Sequence, residues 1–226
     1  MRLVFHGLEN PLDFAPGLPV VLEVENQTLF ANLALSLLSG EGRYAREPYS
    51  LWEEGGELKP KDRLLVIADP LHLPWDNRTF MTAITKKMER EILEDEELRM
   101  QIEEAEQLLA SRLGALRLGF HSDYEFGLEW DLKRSLKYFG FEAAFQPEKS
   151  FLDNLLNFLS FALDAGCKKT FVFVNLKTFL SENDLKSLYD YVFFSKLSVM
   201  LLENKRDMTK YEYERKLSVD LQFLEH

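Results

Sequence analysis

The residue types most often used in catalysis are few in this sequence and are not spaced for it. The four histidines are His6, His72, His121 and His226, and the single cysteine is Cys167. None has the spacing of a metal-binding pair, and no serine lies in the glycine-flanked turn that exposes a nucleophile. Because the sequence offers no paired base and nucleophile, it predicts a protein without a catalytic centre.

Four acidic residues near the middle of the chain are candidate metal ligands: Asp123, Glu125, Glu129 and Asp131. On a helix Glu125 and Glu129 share a face, where a hard cation such as Ca²⁺ would relieve their repulsion. The alternative is a solvated acidic helix face without a metal. The sequence lacks the ligand spacing of an EF-hand loop, so a calcium site would be assembled from separate elements or separate chains.

Two clusters of basic residues on predicted helices could contact a polyanion, because Lys and Arg on one helix face bind phosphate groups. Acidic residues are interleaved with them, so the alternative is a salt-bridged helix surface. A ring-shaped oligomer would favour the first interpretation, since it would bring several copies of each cluster together and leave the acids outside. The clusters consist of Lys86, Lys87 and Arg90, and of Lys133, Arg134 and Lys137.

Composition limits the classes of protein that the chain can belong to. With 226 residues, 46% of them hydrophobic, the chain can bury one α/β core and an insertion. One cysteine excludes a disulfide framework and fits the cytoplasm, and no apolar run is long enough to span a membrane. The net charge of −11 argues against nucleic acid as the partner of a single chain.

The elements that would position these residues are those of an α/β domain. The apolar run 171–174 lies between charged residues and a polar elbow, which is typical of a strand buried on both faces in a parallel sheet. Ser181 and Asp184 then predict a capped helix N-terminus. A hairpin over residues 3–14 and a strand over residues 20–24 precede this unit.

The strand–elbow–helix at residues 20–38 is where a nucleotide-binding protein would carry its phosphate loop. The elbow 24–28 has no glycine and no lysine, so we expect no nucleotide cofactor. A third strand, 63–69, ends in Asp69, as does the magnesium-holding strand of phosphate-loop enzymes. Without that loop, the simpler interpretation is that Asp69 bonds backbone amides in the turn before Pro70.

The remaining patterns predict the domain organisation. Residues 40–60 are interpreted as a loop-rich connection, and a three- to four-residue period over 76–118 predicts two helices. A third helix is expected over 124–139, ending at Gly140, and a nearly all-apolar helix from Ser150. The predicted domains are an α/β head (1–75 and 145–226) and an inserted helical leg (76–144), with a terminal strand over 217–223.

The whole chain resembles the CRISPR-associated Csn-type family, the DNA-end-binding ring protein of type II-A adaptation. The resemblance lies in the order and spacing of seven segments rather than in catalytic motifs. They are the hairpin 3–14 with its Glu-Asn-Pro turn, the strand–elbow–helix 20–38, the strand 64–69, the helical block, the helix end 136–140, the strand 171–175 and the strand 198–203.

The resemblance implies a degenerate phosphate-loop ATPase head, with an N-terminal β-hairpin and a helical leg. Four chains would form a ring with a basic hole that binds double-stranded DNA ends without catalysis, beside the integrase and effector nuclease, during spacer acquisition. It also implies Ca²⁺ binding: Glu129 matches the family's acidic segment, and Asp123, Glu125 and Asp131 lie close to it. By helix position, Lys86, Lys87 and Arg90 would line the hole.

Two other functions are compatible with the residues. The chain could be a metal-dependent nuclease or nucleotide hydrolase that uses Asp69. It could also be a protein scaffold without a DNA role, which the acidic net charge favours.

Overall fold

The structure is a computed structural model that describes residues 1–122 and 131–226. These residues form two compact units. An α/β unit comprises Met1–Pro74, Gln146–Ser160 and Cys167–His226, and a helical unit comprises Trp75–Phe145 and Phe161–Gly166. The helical unit therefore includes the end of the helix that follows the predicted leg.

The described residues contain nine strands and seven α-helices. The strands are β1 (Arg2–Phe5), β2 (Leu12–Asp13), β3 (Val20–Val24), β4 (Tyr49–Glu53), β5 (Gly56–Leu58), β6 (Leu64–Ile67), β7 (Thr170–Val174), β8 (Val199–Glu203) and β9 (Arg215–Val219). The helices are α1 (Gln27–Ser39), α2 (Pro60–Arg63), α3 (Arg78–Glu94), α4 (Glu96–Leu116), α5 (Leu132–Tyr138), α6 (Phe151–Asp164) and α7 (Glu182–Ser195).

A five-stranded parallel sheet is the centre of the α/β unit, and it confirms the predicted α/β class. Its strand order is β6-β7-β8-β3-β9, and all its pairings are parallel. Every residue of β3, β7 and β8 is buried. The run of Val, Leu, Met and Phe in these strands suits a sheet whose two faces are both covered, because neither side of such a strand meets water.

A second, antiparallel sheet has the order β2-β1-β4-β5. The predicted hairpin is confirmed, since Leu3 pairs with Leu12 across β1 and β2. The interpretation of 40–60 as a loop was wrong: the segment contains β4 and β5, and β4 pairs with β1 along its length. Its glycines and prolines mark the ends of these short strands, and Gly56 takes the positive φ of the turn between them.

Side-chain caps fix the starts of α1 and α7, and the cap of α7 is the one that the sequence predicts. The Asn26 side chain accepts the backbone N–H groups of Thr28 and Leu29 at the start of α1. At α7, Ser181 and Asp184 form a capping box in which each side chain accepts the other's backbone N–H. Such caps satisfy donors that have no partner inside the helix.

The C-terminal segment differs from the predicted one-sided strand over 217–223. β9 ends at Val219, and a turn follows in which the Asp220 carboxylate accepts the N–H groups of Gln222 and Leu224. Leu221 is 59% exposed. The alternation of apolar residues beyond Val219 therefore does not continue the strand, because the aspartate bonds the backbone locally.

In the helical unit, the two helices predicted over 76–118 are α3 and α4, and they are separated at Asp95. The Asp95 side chain accepts the N–H of Leu98 and so caps α4. Phe80 and Leu132 are buried, and Phe80 packs edge-on against Phe161. No residue of α4 is fully buried.

Two further findings concern the described residues as a whole. The part of α5 that the structure describes begins at Leu132, and the predicted start near Tyr124 lies outside the described residues; Gly140 has the positive φ expected after the helix end. Among the helices described, none is both long enough and apolar enough to span a bilayer.

We predict that Gly17→Ala destabilises the protein while Gly55→Ala does not. Gly17 has φ +80°, its N–H donates to the Leu197 carbonyl, and an added Cβ would lie 2.9 Å from the carbonyl oxygen of Phe193. We expect a loss of about 1–3 kcal/mol in the free energy of unfolding. A Cβ on Gly55 meets no atom within 4 Å. Thermal unfolding of both variants measures the difference, and equal melting temperatures would contradict the prediction.

Candidate functional site

The first basic cluster lies along one face of α3. Lys86 and Arg90 are one helical turn apart, Lys87 lies beside them, and all three side chains are exposed. They line an open groove of about 650 Å³ whose other wall is the turn after α6, at Ala165 and Gly166. Every lining residue belongs to the helical unit.

The charge of this groove is positive. Its lining includes the three cations and two carboxylates, those of Glu89 and Asp164. Among the described residues, the ion pairs of the helical unit are those of Arg99 with Glu96 and Glu103, at 3.8–3.9 Å, so the groove cations take part in none of them. Cations that are exposed and not already paired are suited to contact phosphate groups.

The second basic cluster lies on the short helix α5. Lys133, Arg134 and Lys137 are exposed, while Leu132 at the start of the helix is buried. The spacing of Lys133 and Lys137 places them on one face. The structure does not bring these residues and the α3 cluster into one described groove, so each is a separate candidate surface.

Of the four candidate metal ligands, Asp123, Glu125 and Glu129 lie outside the described residues. Asp131 caps α5, because its Oδ1 accepts the backbone N–H of Arg134 at 2.9 Å. Within residues 1–122 and 131–226, His, Cys, Asp and Glu form no group of three or more that could hold a metal ion. The Ca²⁺ site thus stays a prediction.

The predicted local role of Asp69 agrees with the structure. Its Oδ1 accepts the N–H of Leu71 at 3.0 Å, and its Oδ2 lies 2.6 Å from Nδ1 of His72. The bond to His72 and that to Leu71 lower the pKa of Asp69. Its carboxylate is thus occupied within a surface turn.

The α/β unit contains a buried ionic network that was not predicted from the sequence. The parallel register places Glu203 of β8, Glu23 of β3 and Ser218 of β9 side by side. Glu23 is fully buried and Glu203 is 3% exposed. Glu23 accepts the Ser218 hydroxyl at 2.7 Å and the N–H of Asp207 at 3.0 Å.

Two lysines pair with carboxylates of this network. Lys177, just after β7, places its Nζ 3.6 Å from Glu23 and 3.1 Å from Glu214. Lys216 of β9 places its Nζ 3.3 Å from Glu23 and 3.0 Å from Glu214. The Tyr189 hydroxyl donates to Glu214 at 2.6 Å. These contacts fix the crossover segment 204–214, which joins β8 to β9.

Burial and charge set the pKa values in this network. Burial raises the pKa of Glu203 to about 7; the N–H and charge of Lys177 oppose the rise, and the charge of Glu23 adds to it. Burial alone would lower the pKa of Lys177, but Glu214 and Glu23 outweigh that effect and raise it. The members of the network bond mainly to one another and thereby hold the crossover segment 204–214 against the sheet.

The fold and the cationic groove together indicate the class of protein to which the chain belongs. The chain has a parallel α/β unit whose elbow after β3 lacks the residues of a phosphate loop, and a helical unit that carries a cationic groove. The family model described as CRISPR-associated protein (Cas_Csn2) matches residues 46–216. The chain therefore belongs to the Csn2 family of CRISPR-associated proteins.

Two comparisons agree with this membership. The chain is 21% identical to the CRISPR-associated protein Csn2 of Enterococcus faecalis over 216 residues, which cover 94% of each chain. It also resembles the crystal structure of Stu0660 of Streptococcus thermophilus, with a TM-score of 0.53 and 16% identity. That match covers 96% of this chain and 74% of the other, and it shows a common fold.

We predict that Glu203→Gln stabilises the protein at high pH. In the native state the pKa of Glu203 is about 7, above the ordinary value of 4.5. The folded chain therefore binds the proton more tightly, and stability is lost as pH rises from about 4.5 to about 7. Gln stays neutral and can still accept the N–H of Lys177.

Chemical unfolding of both proteins between about pH 4.5 and 8.5 provides the test. Near pH 4.5 the two free energies of unfolding should be similar. As the pH rises, the free energy of unfolding of the variant should increasingly exceed that of the wild type, by as much as about 3 kcal/mol near pH 7. Above about pH 7 this difference should stay constant. A difference that does not change with pH would show that Glu203 titrates normally.

Proposed function

We propose that this protein binds the ends of double-stranded DNA, without sequence preference or catalysis, as a cytoplasmic homotetrameric ring in CRISPR spacer acquisition. The observation that carries the proposal is the groove beside α3, where Lys86, Lys87 and Arg90 are exposed and take part in no ion pair among the described residues. Membership of the Csn2 family places the chain with CRISPR-associated proteins. The integrase and effector nuclease of the same locus are the proposed protein partners.

The chemistry of the groove fits phosphate rather than base recognition. Lys and Arg neutralise backbone phosphates and release counterions, which gives affinity without sequence information. The helical unit supplies three such cations on one face of a helix of 17 residues. Lys133, Arg134 and Lys137 of α5 are proposed as a second set of phosphate contacts.

The ring is proposed because a single chain leaves apolar surface uncovered. On α4, Leu108, Leu109 and Leu116 are 59–63% exposed. Phe139, after α5, is 78% exposed. Apolar side chains concentrated in one unit favour contacts with another subunit. Closing a ring would also bring several copies of the α3 cluster together, which offsets the net charge of −11 on each chain.

The simultaneous substitution of Lys86, Lys87 and Arg90 by Glu should abolish binding to a linear duplex. Each change replaces a phosphate contact by repulsion. The wild type should lose roughly 10³–10⁵ in affinity between about 50 and 200 mM salt if six to ten phosphates are contacted. A mobility-shift or anisotropy titration over salt concentration measures both effects.

A matched control reverses the same number of charges in the α/β unit. Lys205, Arg206 and Lys210 are exposed in the β8–β9 crossover and lie outside the α3 groove. Their replacement by Glu should preserve binding and oligomeric mass. Equal loss of DNA affinity in both variants would reveal only a net-charge effect. Undiminished DNA binding by the groove variant would show that α3 is not part of the interface.

End binding is tested with linear and closed circular DNA. Equal affinity for the two would argue against it.

Calcium should stabilise the assembled state, because an ion that binds the ring in preference to free chains shifts the equilibrium by mass action. We propose Asp123, Glu125, Glu129 and Asp131 as ligands. Light scattering should show a smaller particle, and calorimetry a lower melting temperature, in chelator than in Ca²⁺. Glu125→Gln with Glu129→Gln should remove that dependence. An unchanged mass and melting temperature in chelator would contradict the calcium proposal, while DNA binding would be tested separately.

A further inference from the structure

A second groove of the helical unit lies between α3 and α4, next to the turn at Asp95. It has a volume of about 330 Å³, and its apolar lining consists of Ile92, Leu93 and Ile102. Leu93 is 67% exposed, and the two isoleucines are partly exposed. Contact between this apolar surface and water costs free energy. An apolar side chain of another molecule that covered Leu93 and the groove would therefore bind favourably.

Carboxylates surround this groove. Glu89, Glu103 and Glu106 line it together with Arg99, which already pairs with Glu103 and Glu96. Residues 89–106 contain nine acidic side chains and two arginines, a net charge of −7 out of −11 for the whole chain. The groove would therefore repel DNA, and it attracts a cationic partner.

The shape and the charge together specify the kind of partner. An apolar groove between two helices accepts the apolar face of a third helix through side chains one turn apart. Acidic residues at its edges require Lys or Arg beside those apolar anchors. We propose that the α3–α4 groove is a docking site for a basic amphipathic helix of a partner protein. The proposal does not depend on DNA binding.

Another copy of this chain is a poorer occupant. The described helix with the most basic surface is α5, but it has only seven residues, Leu132 is buried in its own unit and Leu136 is partly buried. The exposed leucines of α1 belong to a helix without Lys or Arg. Among the described helices, none combines an exposed apolar stripe with a basic one, so charge complementarity favours a different protein.

The probe is a synthetic amphipathic Leu/Lys helix of about 14 residues with a fluorescent label, titrated with the full chain at about 0.15 M salt. Its counterpart carries Glu in place of every Lys. We expect saturable one-to-one binding of the basic peptide to each chain and none of the acidic one. Binding of both peptides, or of neither, would overturn the proposal.

Leu93→Glu separates groove binding from general attraction to an acidic protein. The variant is more acidic, so attraction by charge alone would strengthen binding, whereas loss of the apolar anchor should weaken it at least about tenfold. Leu35→Glu is the matched control: Leu35 is 54% exposed on α1 and lies outside the groove. Leu93→Gln, which changes no charge, should weaken binding as well.

The charged edge is tested by Glu103→Gln with Glu106→Gln, which should reduce affinity and its salt dependence together. Solution mass is measured for every variant. A change of mass for Leu93→Glu alone would show that the groove is a contact between copies of this chain and overturn the partner proposal. Unweakened binding by both Leu93 variants would also overturn it.

Discussion

The α/β unit depends on the neutralisation of a fully buried carboxylate, that of Glu23, in the middle of its parallel sheet. An unpaired charge at this position would cost several kcal/mol, and the removal of one partner of such a pair is strongly destabilising. Glu23 is bonded by Lys177, Lys216 and Ser218 and by the backbone N–H of Asp207. One side chain thereby joins β3 and β9 to the segment after β7 and to the crossover segment 204–214, which contains no helix of its own.

The same network occupies the end of the sheet at which open α/β folds bind their ligands. Ligands of open α/β folds bind outside the carboxyl ends of the strands, next to a glycine-rich turn. Here Glu23 and Glu203 lie near those ends, Lys177 is paired with carboxylates, and residues 25–28 after β3 include another glutamate. Cations that could hold phosphate are thus used inside the fold, whereas those of α3 and α5 are exposed.

The extent to which the sequence predicts this structure depends on the range of the interactions. The strand β7 and the cap of α7 were predicted, because a continuous apolar run and a Ser-x-x-Asp pattern act over a few residues. The pair Glu23–Ser218 spans 195 residues, and no local pattern shows that β3 lies between β8 and β9. The only signal was a glutamate inside a run of Val and Leu. β4 and β5 were missed for the same reason, since their pairing with β1 is tertiary.

Prediction of the candidate sites from sequence is limited in the same way. The net charge also does not show how unevenly the charges are distributed. The sequence located Lys86, Lys87 and Arg90 on one helix face, but only the structure places them in a groove with the turn after α6. Within the same helix the charge changes sign from this cluster to the acidic region that begins at Glu91. The two surfaces adjoin, since Glu89 and Leu93 line both grooves. Exposed charges act mainly within about 8 Å at physiological salt, so the local charge rather than the net charge decides what each groove attracts. A net charge of −11 is therefore compatible with a cationic DNA interface, because most of that charge lies around the α3–α4 turn.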